Sequence, residues 1–330
     1  MTKFVLRRLL VMIPTVFVIS VVSFIIIQLP PGDFLTTLLA RMEASGDSVD
    51  AARIQQLQIR YSLNQPIHEQ YFNWIGGIVT RGDFGQSFGW NKPVSDLIVE
   101  RLPITVALAI ATLLFGWIIA FPVGIYSAVR QYSLGDYAFT TAGFLGLAVP
   151  NFMIALVLMY VGFAYFGQSP GGLQSPEFRD SPWTVARVVD LLQHLWVPIV
   201  VIGAAGTAAL IRILRANLLD ELRQPYVVAG RARGIPERQL LIRYPLRVAL
   251  NPFVSTVGWV LPAIVSGEVV VAEVLALPTT GPLLLESLRT QDMYLAGSII
   301  FLISVLTVIG TLISDVLLAI FDPRIRLGYR

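Results

Sequence analysis

The chain has 330 residues, of which 55% are hydrophobic and only 14% are charged, and its mean hydropathy is +0.70. Soluble domains carry about 25% charged residues, so this composition indicates an integral membrane protein. The absence of cysteine excludes disulfides and thiolate metal sites. The net charge is +3, and the arginines are interleaved with apolar segments that must lie in lipid. This arrangement argues against nucleic acid as a partner.

Six uncharged runs are long enough to cross the hydrocarbon core of a bilayer, which takes about 20 residues. The runs are residues 9–29, 103–129, 137–167, 191–211, 248–267 and 293–314. They predict an all-α integral membrane protein with about six transmembrane helices. Because no internal repeat or low-complexity linker separates them, we interpret residues 1–330 as a single transmembrane domain.

The basic residues predict which end of each span lies in the cytoplasm. With the N-terminus inside, the cytoplasmic side collects the basic residues of the first eight positions, Arg130, the arginines of residues 212–247, and the C-terminal arginines. The short outer segments then carry only Arg179, Arg187 and Arg289. The positive-inside rule therefore favours an N-in and C-in topology.

The segment at residues 30–102 is a long extracytoplasmic loop in this topology. Connections of this length are uncommon without secondary structure of their own. Hydrophobic residues at helical spacing, with proline at two of the helix entries, predict three short helices. The predicted helices are residues 48–61, 66–79 and 93–101. Glycines predict turns at residues 76–77 and 81–85.

Residues 85–89 read Gly-Gln-Ser-Phe-Gly and match the G-x-S-x-G pattern of hydrolases. That chemistry needs a strand-to-helix elbow, an acid and a histidine base. Here the pattern lies in an outer loop, and the chain has only two histidines, His68 and His194. We therefore interpret it as a glycine-rich turn and expect no catalytic residues. No phosphate-binding motif or metal-ligand cluster is present, so any ATP must be bound by another subunit.

The arginine-rich segment at residues 212–247 lies between two apolar runs, so its charge must face water. From Asp220 onward its pattern is typical of a short amphipathic helix on the membrane surface. Gly234 is expected to end this helix by adopting a positive φ. Pro236 and Glu237 fit the first turn of a following helix. The segment is either a docking surface for another protein or a loop that only anchors the topology.

Two glutamates, Glu268 and Glu273, follow the fifth apolar run. Ionisable groups at membrane depth are costly and usually line cavities or pair internally. Glu268 is therefore a candidate for the substrate path, and Glu273 is a second one. The alternative, which is favoured for Glu273, places both at the outer interface in water. Asp315 near the end of the sixth run is interpreted as an interfacial or helix-packing acid.

At residues 226–234, which read YVVAGRARG, the sequence resembles a known motif. The motif is the cytoplasmic EAA loop of permease subunits from binding-protein-dependent ABC importers, in the branch that transports dipeptides, oligopeptides and nickel. Further similar segments follow in the same order along nearly the whole chain. These are LNQP at 63–66, RGDFGQS at 81–87, RLPIT at 101–105, residues 265–281, and FDPRIR at 321–326.

The resemblance implies a type I ABC importer permease fold in a bacterial or archaeal cytoplasmic membrane. It implies as partners a second homologous permease subunit, two ABC ATPase subunits or domains, and an extracytoplasmic solute-binding protein. The chain would bind no cofactor itself and would not be an enzyme. ATP and Mg²⁺ would be used by the partner ATPases.

The resemblance also identifies the loop at residues 220–236 as the segment that couples the permease to the ATPase. Val228 replaces the acidic residue that begins the motif, and Pro236 stands where a polar cap is common. The residues implied in coupling are Tyr226, Val227, Ala229, Gly230, Arg231, Ala232, Arg233, Gly234 and Glu237.

The substrate stays open between peptides and oligosaccharides. Residues 30–34 (PPGDF) and the insertion at 41–52 look like oligosaccharide-associated members of the branch. The outer loop either contacts the binding protein or packs over the spans. A stand-alone secondary transporter or channel for a polar solute is an alternative, although the spans show no inverted halves. An intramembrane enzyme would need a nucleophile and base that the chain lacks.

Overall fold

The computed structural model of the chain describes residues 2–28, 65–87, 89–166, 171–178, 182, 184–256, 258 and 269–321. Nearly all of these residues are helical, as the composition predicts. The elements are α1 (Thr2–Gln28), α2 (Ile67–Arg81), β1 (Gln86–Ser87), β2 (Lys92–Pro93), α3 (Val94–Val129), α4 (Leu134–Ala148), α5 (Asn151–Phe166), a 3₁₀ turn (Pro176–Phe178), α6 (Val185–Leu222), α7 (Pro225–Ala232), α8 (Glu237–Arg243), α9 (Pro245–Ser255), α10 (Val269–Val274), α11 (Thr280–Arg289) and α12 (Met293–Phe321).

Among the described residues, four helices are long and apolar enough to cross a membrane by length and composition. They are α1, α3, the Val185–Ala204 part of α6, and α12. These helices confirm four of the predicted runs, at residues 9–29, 103–129, 191–211 and 293–314. The run at 248–267 begins in α9, but residues 257 and 259–268 lie outside the described part of the chain. Its crossing of the membrane stays a prediction.

The run at 137–167 forms two helices rather than the single predicted one. α4 and α5 are bent by 98° relative to each other, so together they make at most one broken span. Pro150 is the cause, because proline has no N–H for the helix ladder and its ring disfavours helical backbone in the preceding residue. Val149 accordingly has φ −91° and ψ 125°. The hydropathy of the run does not reveal this break.

Contacts divide the chain into two compact units. The smaller unit comprises Met12–Pro103 and Leu283–Val305. The larger unit comprises Met1–Val11, Ile104–Pro282 and Leu306–Arg330. Each unit has hydrophobic clusters of its own.

In the smaller unit, the amphipathic α2 packs its aromatic face against α1 and α12. The buried members of this cluster are Phe24, Ile27, Tyr71, Trp74, Tyr294 and Phe301. The Tyr71 hydroxyl also forms a hydrogen bond with the Ser20 hydroxyl at 2.7 Å. The helix predicted at residues 66–79 is thereby confirmed, but Gly76 and Gly77 lie inside it and do not form a turn. The chain turns instead at Gly82, which has φ +66°.

Gln86 and Ser87 of the G-x-S-x-G pattern form β1, which pairs antiparallel with β2. The Ser87 hydroxyl is buried and donates to Asp292 Oδ2 at 2.5 Å, and the Gly89 N–H donates to the same oxygen at 3.1 Å. The serine therefore has an acid as its direct partner and ties this segment to the start of α12, a contact that the glycine-turn interpretation did not predict. The helix predicted at residues 93–101 forms the first part of α3. The helix predicted at 48–61 lies outside the described residues.

The core of the larger unit lies where α3, α6 and α9 meet. α6 contributes Leu210, Leu214 and Leu218, which are all buried. Gly124 on α3 permits close packing there, because a Cβ at this position would be only 3.1 Å from the Leu214 side chain. A second cluster places α6 against α5 and α10. α6 is thus the central helix of this unit.

Candidate functional site

The predicted segment at residues 212–247 begins inside α6, which continues to Leu222. The N–H groups of Arg223 and Gln224 donate to the carbonyls of Asp220 and Glu221, which closes the last turn of α6. Gln224 then adopts an extended backbone, and α7 restarts with Pro225 at its first position. Proline is favoured there because its fixed φ suits a helix and the missing N–H would be unpaired anyway. Helix α7 is therefore a separate short helix and not an extension of α6.

Gly234 ends α7 as the sequence predicts. Its φ is +75°, a left-handed conformation that residues with a Cβ rarely adopt. The Gly234 N–H donates to the Arg231 carbonyl at 2.9 Å, and the Ile235 N–H donates to the Gly230 carbonyl at 3.2 Å. These two bonds form a Schellman motif, which pairs two carbonyls that the helix end would leave unpaired.

α7 and α8 pack tightly on each other across this turn. Val227 and Leu240 are almost completely buried. Gly230 is buried too, and a Cβ there would lie 2.5 Å from Leu240 Cδ1 and 3.8 Å from Ile235 Cδ1. The absence of a side chain at position 230 is therefore needed for this contact. Val227 and Gly230 hold the segment together and present nothing to a partner.

An exposed ion pair spans the turn. Arg231 donates to Glu237 through Nε at 2.6 Å and through a second guanidinium nitrogen at 3.3 Å. Glu237 lies in the first turn of α8, as predicted, where the helix dipole favours a negative charge. Pro236 precedes the helix by one residue and does not lie in its first turn. Because both side chains are largely in water, the pair contributes about 0.2–1 kcal/mol at most.

The outward face of α7 is a mixed apolar and basic surface. The predicted residues that are exposed there are Tyr226, Ala229, Arg231, Ala232 and Arg233. Val228, which is not among the residues that the resemblance implies in coupling, is 56% exposed and adds an apolar side chain to them. We call these six residues the α7 surface. Tyrosine and arginine, which this surface contains, are residue types that are enriched at protein–protein interfaces.

The α7 surface is anchored on both sides. The Tyr226 hydroxyl donates to Glu221 at the end of α6. On the other side, α8 packs against α9, which joins the buried cluster of α6. The α7 surface is therefore supported by packed helices.

Of the two glutamates predicted as candidates for the substrate path, the structure describes only one. Glu273 lies on the short helix α10 with its side chain exposed, and its place in the substrate path or at the outer interface stays a prediction. Glu268 lies outside the described residues. Asp315, predicted to be an interfacial or packing acid, accepts a hydrogen bond from Arg8 Nε at 3.1 Å. His194 is a packing histidine whose Nδ1 lies 2.8 Å from the Asp190 carbonyl oxygen.

The sequence analysis did not predict a buried ion pair that lies near α7. Asp136 on α4 and Arg215 on α6 are paired at 2.9 Å. The local signal was present, because Ser133 followed three residues later by Asp136 is typical of a helix N-terminus. The pairing itself joins residues that are distant in the sequence, and no local pattern predicts it. Within the described residues, no group of three or more acids and histidines could hold a metal ion.

These features define a multi-pass helical membrane protein with an exposed, structurally anchored polar segment between its helices. Two family models match the chain. The model described as "Binding-protein-dependent transport system inner membrane component" matches residues 120–327, and the model for the N-terminal part of that membrane component matches residues 1–109. The chain belongs to this family of inner membrane transport components. It is a non-catalytic permease subunit of the cytoplasmic membrane.

Relatives of known name match along their whole length. The chain is 36% identical to the oligopeptide transport system permease protein AppB of Bacillus subtilis, over 98% of this chain and 99% of the relative. It is 30% identical to the oligopeptide transport system permease protein OppB of Escherichia coli K12, over 99% of this chain and all of the relative. A putative peptide permease protein of Brucella ovis is also 30% identical, with 99% of both chains covered.

Proposed function

We propose that this permease forms half of the translocation pathway of an ATP-driven importer for peptides. The names of the relatives, which are oligopeptide and peptide permeases, support peptides as the substrate class. The oligosaccharide expectation depends on residues 30–34 and 41–52, which lie outside the described residues. Peptides would be delivered by an extracytoplasmic solute-binding protein. A second homologous permease subunit would complete the pathway, and two ABC ATPase subunits would drive it.

We further propose that the loop at residues 220–236 transmits ATPase movement to the permease through the α7 surface. The observation that carries this proposal is the combination of exposure and anchoring in α7. Its outward face is exposed to solvent in this chain, whereas Val227 and Gly230 fix its inward face against α8. A partner that binds and displaces such a helix must displace the helices behind it as well.

The length of α6 supports the same mechanical role. It has 38 residues, which at about 1.5 Å per residue makes a helix about 57 Å long. This exceeds the hydrocarbon thickness of a bilayer, which is about 30 Å. α6 is thus long enough to connect the α7 surface with the far side of the membrane.

Cysteine crosslinking tests the proposal directly, because the chain has no cysteine of its own. The Ala229→Cys variant, expressed with its partner subunits in working membranes, is expected to crosslink to an ATP-hydrolysing subunit. Val79→Cys is the matched control, because Val79 is highly exposed but lies on α2, in the predicted extracytoplasmic loop. Failure of the Ala229→Cys variant to capture an ATPase, or equal capture by the Val79→Cys variant, would contradict the proposed coupling.

A further inference from the structure

A two-bond ion pair joins the first turn of α4 to α6. Arg215 donates from Nε to Asp136 Oδ1 at 3.0 Å and from a terminal guanidinium nitrogen to Oδ2 at 2.9 Å. Such bidentate geometry fixes the relative orientation of the two groups as well as their separation. The pair therefore constrains both sliding and rotation of α4 against α6.

The carboxylate of Asp136 is held in place from its own side too. Its side chain is buried, and the Tyr132 N–H donates to Oδ2 at 3.0 Å. The Ser133 hydroxyl accepts from the Asp136 N–H at 3.2 Å and thereby caps the helix. Because Asp136 lies in the first turn of α4, the helix dipole also favours its negative charge. The Asp136 carboxylate is therefore already in position to pair with Arg215.

The other described contacts between α4 and α6 have less directionality. A Cβ at Gly143 would lie 3.6 Å from the Ala208 Cβ, which is ordinary van der Waals contact. The Arg212 guanidinium lies 6.0 Å from the centre of the Phe144 ring, at the outer limit of a cation–π contact. Contacts of these kinds tolerate small displacements. Of these three contacts, the ion pair is the one with a fixed direction.

The pair lies close to the α7 surface along α6. Arg215 precedes Leu222, the last residue of α6, by about two helical turns, or about 10 Å of helix axis. No break interrupts α6 over this distance. A displacement that α7 transmits to the end of α6 therefore reaches Arg215 through continuous helix.

We propose that Asp136 and Arg215 are positioning residues that clamp α4 to α6, so that a displacement entering through α7 moves both helices together. The inference rests on the proposed function, because it requires α7 to be the segment that the ATPase moves. Coupling between distant sites needs an element whose arrangement both sites bias. The clamp provides such an element because it makes α4 move together with α6.

Two variants test the clamp in the assembled transporter, reconstituted in liposomes with its ATPase subunits and binding protein. Asp136→Asn keeps the size of the side chain but removes its charge. Arg215→Lys keeps the charge but cannot form the two-bond contact. Each variant also carries Ala229→Cys, so that ATPase binding is measured by crosslinking in the same sample.

In both variants we expect crosslinking and ATP hydrolysis close to those of the parent. Uptake of a radiolabelled tripeptide per ATP hydrolysed should fall by about tenfold, within the 5–150-fold range of ordinary coupling between sites. A purely structural role would lower assembly, hydrolysis and uptake together and would leave their ratio unchanged. Arg130→Gln is the matched control, because it removes an exposed cation next to the same turn and should keep the parental ratio.

The outcomes separate the inference from the proposed function. Parental uptake per ATP in both variants, with crosslinking intact, overturns the clamp and leaves the coupling role of α7 standing. Failure of both variants to assemble would make the pair a folding requirement and would overturn the clamp as well. If the parent carrying only Ala229→Cys never crosslinks to an ATPase, the proposed function fails and the clamp fails with it.

Discussion

Single residues at the α7–α8 turn have separable roles. Gly234 supplies a backbone conformation, since its φ is +75° and a Cβ there would meet no atom within 4 Å. Gly230 supplies space, since its own φ is ordinary and a Cβ would meet Leu240. The sequence predicted the first role, because a glycine that follows a helix has a known conformational use. It did not predict the second, because close packing depends on a residue ten positions later.

Replacement of Gly234 by alanine is expected to destabilise the turn by about 1–2 kcal/mol, the cost of left-handed backbone for a residue with a Cβ. Gly76→Ala is the matched control, because Gly76 lies inside α2 with open space around it. That change should be neutral or should stabilise by up to about 1 kcal/mol. Thermal unfolding of the purified permease in detergent measures both. Equal melting temperatures for the two variants would contradict the strain that is expected when alanine replaces Gly234.

At the scale of elements, the sequence predicted helices better than it predicted breaks and long-range ties. Hydropathy identified four of the spans, and helical spacing identified α2, because both signals are local. The bend at Pro150 was missed, since the apolar character continues across it. The ties between Ser87 and Asp292 and between Asp136 and Arg215 were missed because each partner acquires its role only after folding.

The hydrogen bonds between the β1–β2 hairpin and Asp292 lead to a prediction about stability. Asp292 is buried and accepts from Ser87, from Gly89 and, through Oδ1, from the Leu295 N–H at 3.3 Å. Asp292→Ala would leave buried donors unpaired and is expected to destabilise the permease by about 1–3 kcal/mol. Thermal unfolding in detergent measures this loss.

Ser87→Ala provides the companion measurement. It removes one donor but leaves the two backbone donors to Asp292 in place, so it should destabilise less than Asp292→Ala. Peptide uptake should persist in Ser87→Ala, because the serine is a structural tie. A complete loss of uptake with unchanged stability would instead support a chemical role for Ser87.

For the whole molecule, composition and charge determined the class of protein, whereas resemblance was needed for the function. A composition of 55% hydrophobic and 14% charged residues requires a membrane environment. The distribution of arginine then predicts the orientation. Neither property distinguishes a permease subunit from a secondary transporter. The ordered motifs along the chain made that distinction, and the two family models confirm it.

The predicted orientation has its own test in intact cells. The Ala229→Cys variant should react with a membrane-impermeant maleimide only after the cytoplasmic membrane is opened, because the α7 surface is predicted to face the cytoplasm. The Val79→Cys variant should react without opening, because residues 30–102 are predicted to lie outside. Both parent positions are exposed, so poor access within the folded chain is not expected to limit labelling. The reverse pattern would invert the topology.

The bend at Pro150 decides how a motion of α4 is oriented relative to α5. The angle between α4 and α5 is 98°. A shift of α4 along its own axis therefore moves α5 in a direction almost perpendicular to the axis of α5. A straight helix would only carry the same shift further along one line. A short shift of α4 along its axis would therefore move α5 sideways without any lengthening of the chain.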